Sequence, residues 1–97
     1  MTTRSDTIEV SVSGFGMLKS LITDKSIRLK RGSTLSDLLH FMVERYGMRF
    51  RQLVIDPETK EVSTSICILK NGQTANGLRE ELNDRDEITL FIFVGGG

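Results

Sequence analysis

Polar and apolar residues alternate at two places near the start of the chain. Residues 8–13 read Ile-Glu-Val-Ser-Val-Ser, and residues 27–30 read Ile-Arg-Leu-Lys. A period of two is typical of a β-strand that buries one face. The segment between them opens with Gly-Phe-Gly at residues 14–16 and is too long for a two-residue turn. The pattern therefore predicts an antiparallel hairpin with a flexible loop over residues 14–24.

A helix is predicted between Thr34 and Gly47. Thr34 is a favourable N-cap, Asp37 completes a weaker form of the capping box, and Gly47 suits the residue that ends the last turn. His40 and Phe41 lie off the apolar stripe and are expected at the surface. The stripe follows the i, i+3, i+4, i+7 spacing of one helix face and contains Leu35, Leu38, Leu39, Met42, Val43 and Tyr46.

Two short apolar segments follow the helix. Residues 53–55 (Leu-Val-Ile) are a strand candidate, and residues 66–69 (Ile-Cys-Ile-Leu) predict another strand. The second segment is followed by Asn71-Gly72, a dipeptide that favours a tight turn.

The most apolar segment, residues 88–94, reads Ile-Thr-Leu-Phe-Ile-Phe-Val. Because it is apolar on both faces, it is expected to be a central strand. Before it, Leu78 and Leu82 have the spacing of a single helical turn, and residues 83–87 are the polar residues of a second turn.

The order of these elements predicts an α+β fold, with a mixed four- to five-stranded sheet and one main α-helix packed on one face. Parallel strands need a crossover connection, which the helix supplies. A chain of 97 residues has room for one modest core. We therefore expect a single domain over residues 1–97, with residues 1–6 disordered because they are polar and terminal.

Composition narrows the possible functions. Apolar residues make up 38% of the chain and the formal net charge is zero, which suits a globular domain and argues against a general nucleic-acid binder. No apolar run approaches the roughly 20 residues needed to cross a bilayer. The N-terminal residues have no signal-peptide pattern, so a cytoplasmic location without membrane association is expected.

Charge is unevenly distributed along the chain. Residues 1–51 contain nine basic and five acidic residues, whereas residues 52–97 contain four basic and eight acidic residues. The two halves can attract each other in the fold, and either can steer a charged partner.

The usual active-site residues are scarce. Cys67 is the only cysteine, which excludes an intrachain disulfide, and its apolar neighbours favour a small buried hydrophobe. His40 is the only histidine, so a metal site or a Cys–His pair is not expected.

Three glycines, Gly95, Gly96 and Gly97, directly follow the last predicted strand. They are expected to form a flexible tail, because glycine lacks a Cβ. For the same reason the tail could enter a narrow channel in extended form. The terminal carboxylate at Gly97 would be ionised at neutral pH, since its reference pKa is about 3.5. An ionised carboxylate is a poor electrophile and becomes reactive only after another enzyme activates it.

From Ile8 to Gly97 the chain resembles the MoaD/ThiS family of ubiquitin-like sulfur carriers, which have the β-grasp fold, and it is closer to MoaD. Carriers of the MoaD type have a Leu-x-Asp-Gly-Asp-Glu-Val turn, an apolar strand and a Pro-Pro-Val-small-Gly-Gly end. Here Arg85 replaces the turn glycine and Ile92-Phe93 replaces the proline pair. The positions that follow the pattern are Asp84, Asp86, Glu87, Val94, Gly96 and Gly97.

The resemblance implies a carrier protein or non-catalytic small subunit, not an enzyme. An adenylyltransferase of the ubiquitin-activating type would adenylate Gly97, and a sulfur donor enzyme would convert it to a thiocarboxylate. The sulfur would pass to the large subunit of molybdopterin synthase or to another sulfur-accepting enzyme. No cofactor would be bound permanently, because ATP is used by the activating partner.

The resemblance leaves other functions open. The chain is also similar to archaeal-type ubiquitin-like modifiers, which attach to lysines through the C-terminal glycine, and to ThiS carriers, which supply sulfur for the thiamine thiazole. A β-grasp interaction module without sulfur chemistry is a further alternative.

A docking surface is predicted on the last strand. Its period of two places Ile88, Leu90 and Ile92 on one face and Phe91 and Phe93 on the other. Because a single helix covers only one face of the sheet, the second face would stay open. We therefore expect Phe91, Phe93 and Val94 to bind a partner.

Overall fold

The computed structural model describes residues 6–92, in which five strands and two α-helices are found. The helices are α1 (Leu35–Tyr46) and α2 (Met48–Val54). The strands are β1 (Thr7–Gly14), β2 (Ser26–Lys30), β3 (Ile66–Lys70), β4 (Gln73–Thr74) and β5 (Glu87–Ile92).

All five strands belong to one mixed sheet, in the spatial order β2-β1-β5-β3-β4. β1 and β2 form the predicted antiparallel hairpin, with Val10 opposite Ile27. β5 is parallel to β1 and antiparallel to β3, so its predicted central position is confirmed. This mixed sheet with α1 on one face is the arrangement expected for a β-grasp fold.

The core lies between the sheet and the helices. The predicted cap of α1 is present, since Asp37 N–H donates to Thr34 Oγ1 (3.3 Å) and Thr34 N–H donates to Asp37 Oδ2 (2.9 Å). Gly47 ends the helix with φ of 85°, a conformation that favours glycine. His40 and Phe41 are exposed, as predicted. The largest fully buried side chains are Phe50, Ile8, Leu18, Leu35, Leu38, Leu39, Met42, Leu82, Ile88 and Leu90.

The strand predicted at residues 53–55 is wrong. Leu53 and Val54 end α2, and only Ile55 forms an isolated bridge, to Val62. Phe50 and Val54 are both fully buried, and their i, i+4 spacing places them on one helix face. Tertiary packing of this short helix therefore outweighs the β-propensity of Leu-Val-Ile.

The helical turn predicted at Leu78 and Leu82 is also wrong. The chain makes a turn in which Glu80 N–H donates to the oxygen of Gly77 (3.2 Å), and Glu81 then pairs with Thr34 as an isolated bridge. Leu82 is buried because this extended segment returns to the N-terminus of α1. In the hairpin loop, Gly16–Leu18 forms a 3-10 helix.

The predictions for both ends of the chain lie outside the described residues. They are the disorder of residues 1–5 and the tail formed by Gly95, Gly96 and Gly97. Asp6, the last residue of the predicted disordered segment, is described and exposed.

Candidate docking site

Of the predicted site residues, Phe91 is the one within residues 6–92; Phe93, Val94, Gly95, Gly96 and Gly97 lie outside them. Phe91 is half-buried on β5 and does not belong to the core, whereas its neighbour Leu90 is fully buried there. Successive side chains of a strand point to opposite faces. Phe91 therefore lies on the sheet face opposite the helices, as predicted.

Two side chains of β3 share this face with Phe91. Cys67 lies directly opposite Phe91 in the antiparallel register, and Leu69 lies opposite Thr89. Cys67, Leu69 and Phe91 are each half-buried, and we call them the open-face patch. The expectation that Cys67 is a buried hydrophobe is therefore wrong, because Ile66 and Ile68, rather than Cys67, face the core.

The remainder of the open face is polar. Ser13 Oγ lies 3.4 Å from Thr89 Oγ1, which links β1 to β5. Ser26 Oγ donates to Glu9 Oε2 (2.8 Å), which links β2 to β1. The open-face patch is therefore an apolar area with a polar border, an arrangement typical of protein interfaces.

A hydrogen-bond network fixes the turns at one end of β3 and β5. Asp86 is 6% exposed, and its carboxylate accepts hydrogen bonds from Asn71 Nδ2 (2.9 Å) and Asn83 N–H (2.7 Å). Asn71 Oδ1 in turn accepts from Glu87 N–H (2.8 Å). These bonds hold the register of the two strands that carry the open-face patch, so the turn residues shared with MoaD-type carriers have a structural role.

Lys70 connects this network to Glu80, in the segment before β5. Its Nζ lies 2.8 Å from Glu80 Oε2 and 3.8 Å from Asp86 Oδ2. The hydrogen bond to Glu80 is the main cause that raises the pKa of Lys70, and the same bond lowers the pKa of Glu80. Both groups therefore stay charged at neutral pH, in roles that stabilise the turn.

Residues 6–92 contain no cluster of three or more His, Cys, Asp or Glu side chains that could hold a metal ion. No helix in that range has the length and apolar content needed to cross a membrane.

The sequence prediction placed Phe91 on the open face but did not identify Leu69 and Cys67 as its neighbours there. The period of two along Ile66–Lys70 pairs Cys67 with Leu69 on one face, which is a usable signal. Their position beside Phe91 depends on the pairing of β3 with β5, which the sequence pattern does not specify.

Comparisons with known proteins identify the class of the chain. A model of the ThiS family matches residues 14–97, and no curated protein matches significantly. The solution structure of the Haloferax volcanii HVO 2177 protein is 24% identical with a TM-score of 0.76, over 100% of this chain and 93% of that one. The small archaeal modifier protein 1 from Methanosarcina acetivorans is 29% identical with a TM-score of 0.70, over 96% and 100% of the two chains.

A third similar structure is a putative molybdopterin converting factor, subunit 1, from Pyrococcus furiosus. It is 24% identical with a TM-score of 0.69, and the match covers 90% of this chain and 99% of that one. The β-grasp fold is confirmed by these structures, and the resemblance to small ubiquitin-like carriers is confirmed by the family match together with them.

Proposed function

Because this chain belongs to the ThiS family, whose members are small non-catalytic carrier proteins, we propose that it carries sulfur as a thiocarboxylate on Gly97. The acceptor that we propose is the precursor of molybdopterin. The observation that carries the proposal is the extent of the family match, which runs from Gly14 through Gly97 and so includes the three glycines.

The fold supports the proposal through the position of β5. This strand lies between β1 and β3, with hydrogen-bonded neighbours on both sides, and is described as far as Ile92. A central strand is among the most stable parts of a sheet, because it is buried and paired on both edges. The folded domain therefore gives a partner enzyme a rigid surface to bind while the enzyme acts on residues 93–97.

The proposed chemistry takes place in partner enzymes. The Gly97 carboxylate attacks the α-phosphorus of ATP held by an adenylyltransferase, and pyrophosphate leaves. A sulfide-level donor supplied by a second enzyme then attacks the acyl carbon and AMP leaves, which yields the thiocarboxylate. This chain contributes the reacting carboxylate and its positioning, and the ATP belongs to the partner.

Docking to these partners is assigned to the open-face patch together with Phe93 and Val94. Cys67, Leu69 and Phe91 give a half-exposed apolar surface on β5 and its neighbour β3. Apolar area of this kind, rimmed by polar residues, is typical of sites that bind other proteins.

The proposal is tested by mass spectrometry of the protein purified from its native host. A thiocarboxylate adds about 16 Da at the C-terminal residue, because sulfur replaces oxygen. In a second assay, the adenylyltransferase of the same host should release pyrophosphate in the presence of ATP and the intact chain. A variant lacking Gly96 and Gly97 should release none and should keep the melting temperature of the parent protein.

Molybdopterin as the acceptor is tested separately. A host that lacks this chain should lose molybdenum- or tungsten-cofactor activity and recover it when the intact chain is restored. Continued cofactor synthesis in the deleted host would contradict the assignment of this acceptor, although it would leave the carrier role in place.

A second function is favoured by one comparison. The small archaeal modifier protein 1 from Methanosarcina acetivorans is 29% identical to this chain and covers nearly all of it. A protein modifier would use the same adenylate but transfer the acyl group to a lysine amine. Peptides that carry the C-terminal glycines on lysine side chains, without any thiocarboxylate, would favour this function over the sulfur carrier.

A further inference from the structure

Three of the most exposed apolar side chains in the described structure lie on the hairpin loop and α2. Phe15, Met17 and Met48 are 59%, 62% and 67% exposed. None of the three belongs to the hydrophobic core. Methionine is common at surfaces that adapt to protein partners. They therefore mark a surface distinct from the open-face patch.

A groove separates the hairpin loop from α2. It has a volume of about 370 Å³ and is open to solvent. Arg49 is the charged residue of the groove, and Met17, Leu21 and Leu53 supply its apolar surface. We call it the α2 groove; its lining residues are Met17, Ser20, Leu21, Arg49, Gln52 and Leu53.

A second hollow continues the surface on the other side of Gln52. It has a volume of about 380 Å³. Its cationic residues are Arg51 and Lys60, and neither hollow includes an acidic lining residue among residues 6–92. Its lining residues are Met48, Arg51, Gln52, Ile55, Pro57 and Lys60.

The positive charge of this surface is available to a partner. Arg49, Arg51 and Lys60 are exposed and form no ion pair with a residue in the range 6–92. Of the nearby acids, Asp56 accepts hydrogen bonds from the N–H groups of Glu58 (2.8 Å) and Thr59 (3.4 Å), which fixes it in its own turn.

The hairpin-loop wall of the groove has a defined conformation. Leu18 is fully buried and Ile22 is 8% exposed, so the loop is anchored on both sides of Ser20. Ile22 N–H donates to the oxygen of Leu18 (2.9 Å). At Gly14, a Cβ would lie 3.0 Å from Leu18 atoms, so the loop packs directly against the end of β1. A wall held in this way loses little conformational entropy when a partner binds.

The groove lies at the end of the sheet that holds Gly14 of β1 and Leu90 of β5. β1 and β5 are parallel, so both strands end at this edge. Phe15 N–H donates to the oxygen of Leu90 (3.1 Å), two residues before the last described residue. An enzyme that encloses residues 93–97 would therefore reach the hairpin loop and α2 next to it.

We infer that the α2 groove and the adjoining hollow form a second docking surface, which takes an acidic amphipathic segment of the adenylyltransferase. Apolar side chains of that segment would fill the α2 groove beside Met17 and the adjoining hollow beside Met48, and its carboxylates would pair with Arg49 and Arg51. The choice of occupant follows from charge complementarity, because the charged residues that line both hollows are cationic. The inference rests on the proposed function, since it assigns the surface to the enzyme that activates Gly97.

The test is steady-state adenylation by the host enzyme, with ATP saturating and the concentration of the full-length chain varied. Met48→Ser and Arg49→Glu should each raise the KM for the chain by about tenfold and leave kcat unchanged, because the lost contacts bind ground state and transition state equally. Arg49→Lys, which keeps the positive charge, should have a KM much closer to the wild-type value than that of Arg49→Glu. Higher salt should raise the KM of the wild-type chain more than that of Arg49→Glu.

Two matched variants lie away from this surface. Phe41→Ser removes an exposed apolar side chain of α1, and Arg79→Glu reverses an exposed charge in the turn near the start of α1. Both should keep the KM within about twofold of the wild-type value, since surface changes outside an interface have small effects. Thermal melts of all five variants should match that of the parent.

The outcomes separate this inference from the proposed function. Wild-type adenylation with unchanged KM in Met48→Ser and Arg49→Glu would overturn the second docking surface and leave the carrier role intact. No adenylation of the wild-type chain would overturn the carrier role, and the assignment of this surface with it. An equal rise in KM for Arg79→Glu would also contradict the inference, because it would indicate a general charge effect.

Discussion

At the residue scale, three side chains join the hairpin loop to the end of α1. Arg45 Nε and Nη2 both donate to the carboxylate of Asp24, and Tyr46 Oη donates to Asp24 Oδ2 (2.8 Å). Two hydrogen bonds lower the pKa of Asp24 from 3.8 to about 2. The bond from Arg45 has the larger effect, and the bond from Tyr46 has the second largest. The ionised form of Asp24 therefore stabilises the folded state.

This cluster predicts how stability changes in acid. Because the pKa of Asp24 is lower in the folded than in the unfolded state, the unfolded state binds more protons between about pH 4 and pH 2. The stabilisation is complete above pH 4 and is lost as the pH falls towards 2. The effect should be modest, since the Arg45 side chain is 53% exposed.

Urea unfolding from pH 6 to pH 2 measures the effect. The free energy of unfolding of Asp24→Asn should fall less steeply below pH 4 than that of the wild-type chain. Glu44→Gln, at an exposed carboxylate of α1, should keep the wild-type slope. Parallel curves for Asp24→Asn and wild type would contradict the role of Asp24.

Arg85 gives a second prediction at this scale. It stands where MoaD-type carriers have glycine, and its φ is 72°, a region that L-residues other than glycine disfavour. Its N–H donates to the oxygen of Glu9 (2.7 Å), a backbone contact that glycine would keep. We expect Arg85→Gly to raise the free energy of unfolding by up to about 1 kcal/mol, because relief of backbone strain exceeds the added entropy of the unfolded chain.

Arg79→Gly is the matched control, because Arg79 is exposed and does not have a positive φ. There glycine should lower the free energy of unfolding by about 0.5–1 kcal/mol through the entropy of the unfolded chain alone. Urea denaturation of both variants measures the difference. A loss of stability in Arg85→Gly would contradict the strain at this turn.

At the element scale, the two faces of β5 differ in burial, and the proposed docking surface lies on the less buried face. Leu90 is fully buried on the core face, and Phe91 is half-buried on the open face. Phe91→Ser should therefore weaken binding to the activating enzyme while lowering the free energy of unfolding by only about 1 kcal/mol. Leu90→Ser should cost at least about 3 kcal/mol, because it creates a cavity and buries a hydroxyl.

Binding is measured by titration calorimetry with the adenylyltransferase, and stability by thermal melting of the same samples. A large fall in the melting temperature of Phe91→Ser would instead place this side chain in the core. Unchanged affinity at unchanged stability would remove the open-face patch from the docking surface.

The elements also show how far a local pattern is informative. The period-two alternation of β1 and the stripe of α1 agree with the structure, because each element buries one long, regular face. α2 has only seven residues, and its helical form depends on Phe50 and Val54 entering the core. Such a short helix is marginal by itself, so packing decided its conformation.

At the scale of the whole molecule, ion pairs form within each half of the chain, although the two halves differ in charge. Arg45 pairs with Asp24 within the first half, and Lys70 pairs with Glu80 and Asp86 within the second. Hydrogen bonds join the halves, among them the one that Glu9 N–H donates to the side-chain oxygen Asp84 Oδ1 (2.8 Å). The cationic residues of α2, Arg49 and Arg51, form no ion pair within residues 6–92 and so remain available to a partner.

The sequence by itself determined those features that depend on neighbours along the chain. The hairpin, the capped helix α1, the Asn71-Gly72 turn and the apolar strand β5 each follow from patterns within about a dozen residues. The family resemblance also rested on local motifs, in the turn before β5 and in the terminal glycines.

The tertiary structure decided what depends on residues far apart in sequence. It brought Cys67 and Leu69 beside Phe91, enclosed Asp86 between two turns, and placed Met17 across a groove from Arg49. These positions depend on strand order and on packing of the hairpin loop and α2 against the core. A local pattern does not encode them, because the contact energy comes from surfaces that meet only when the sheet has formed.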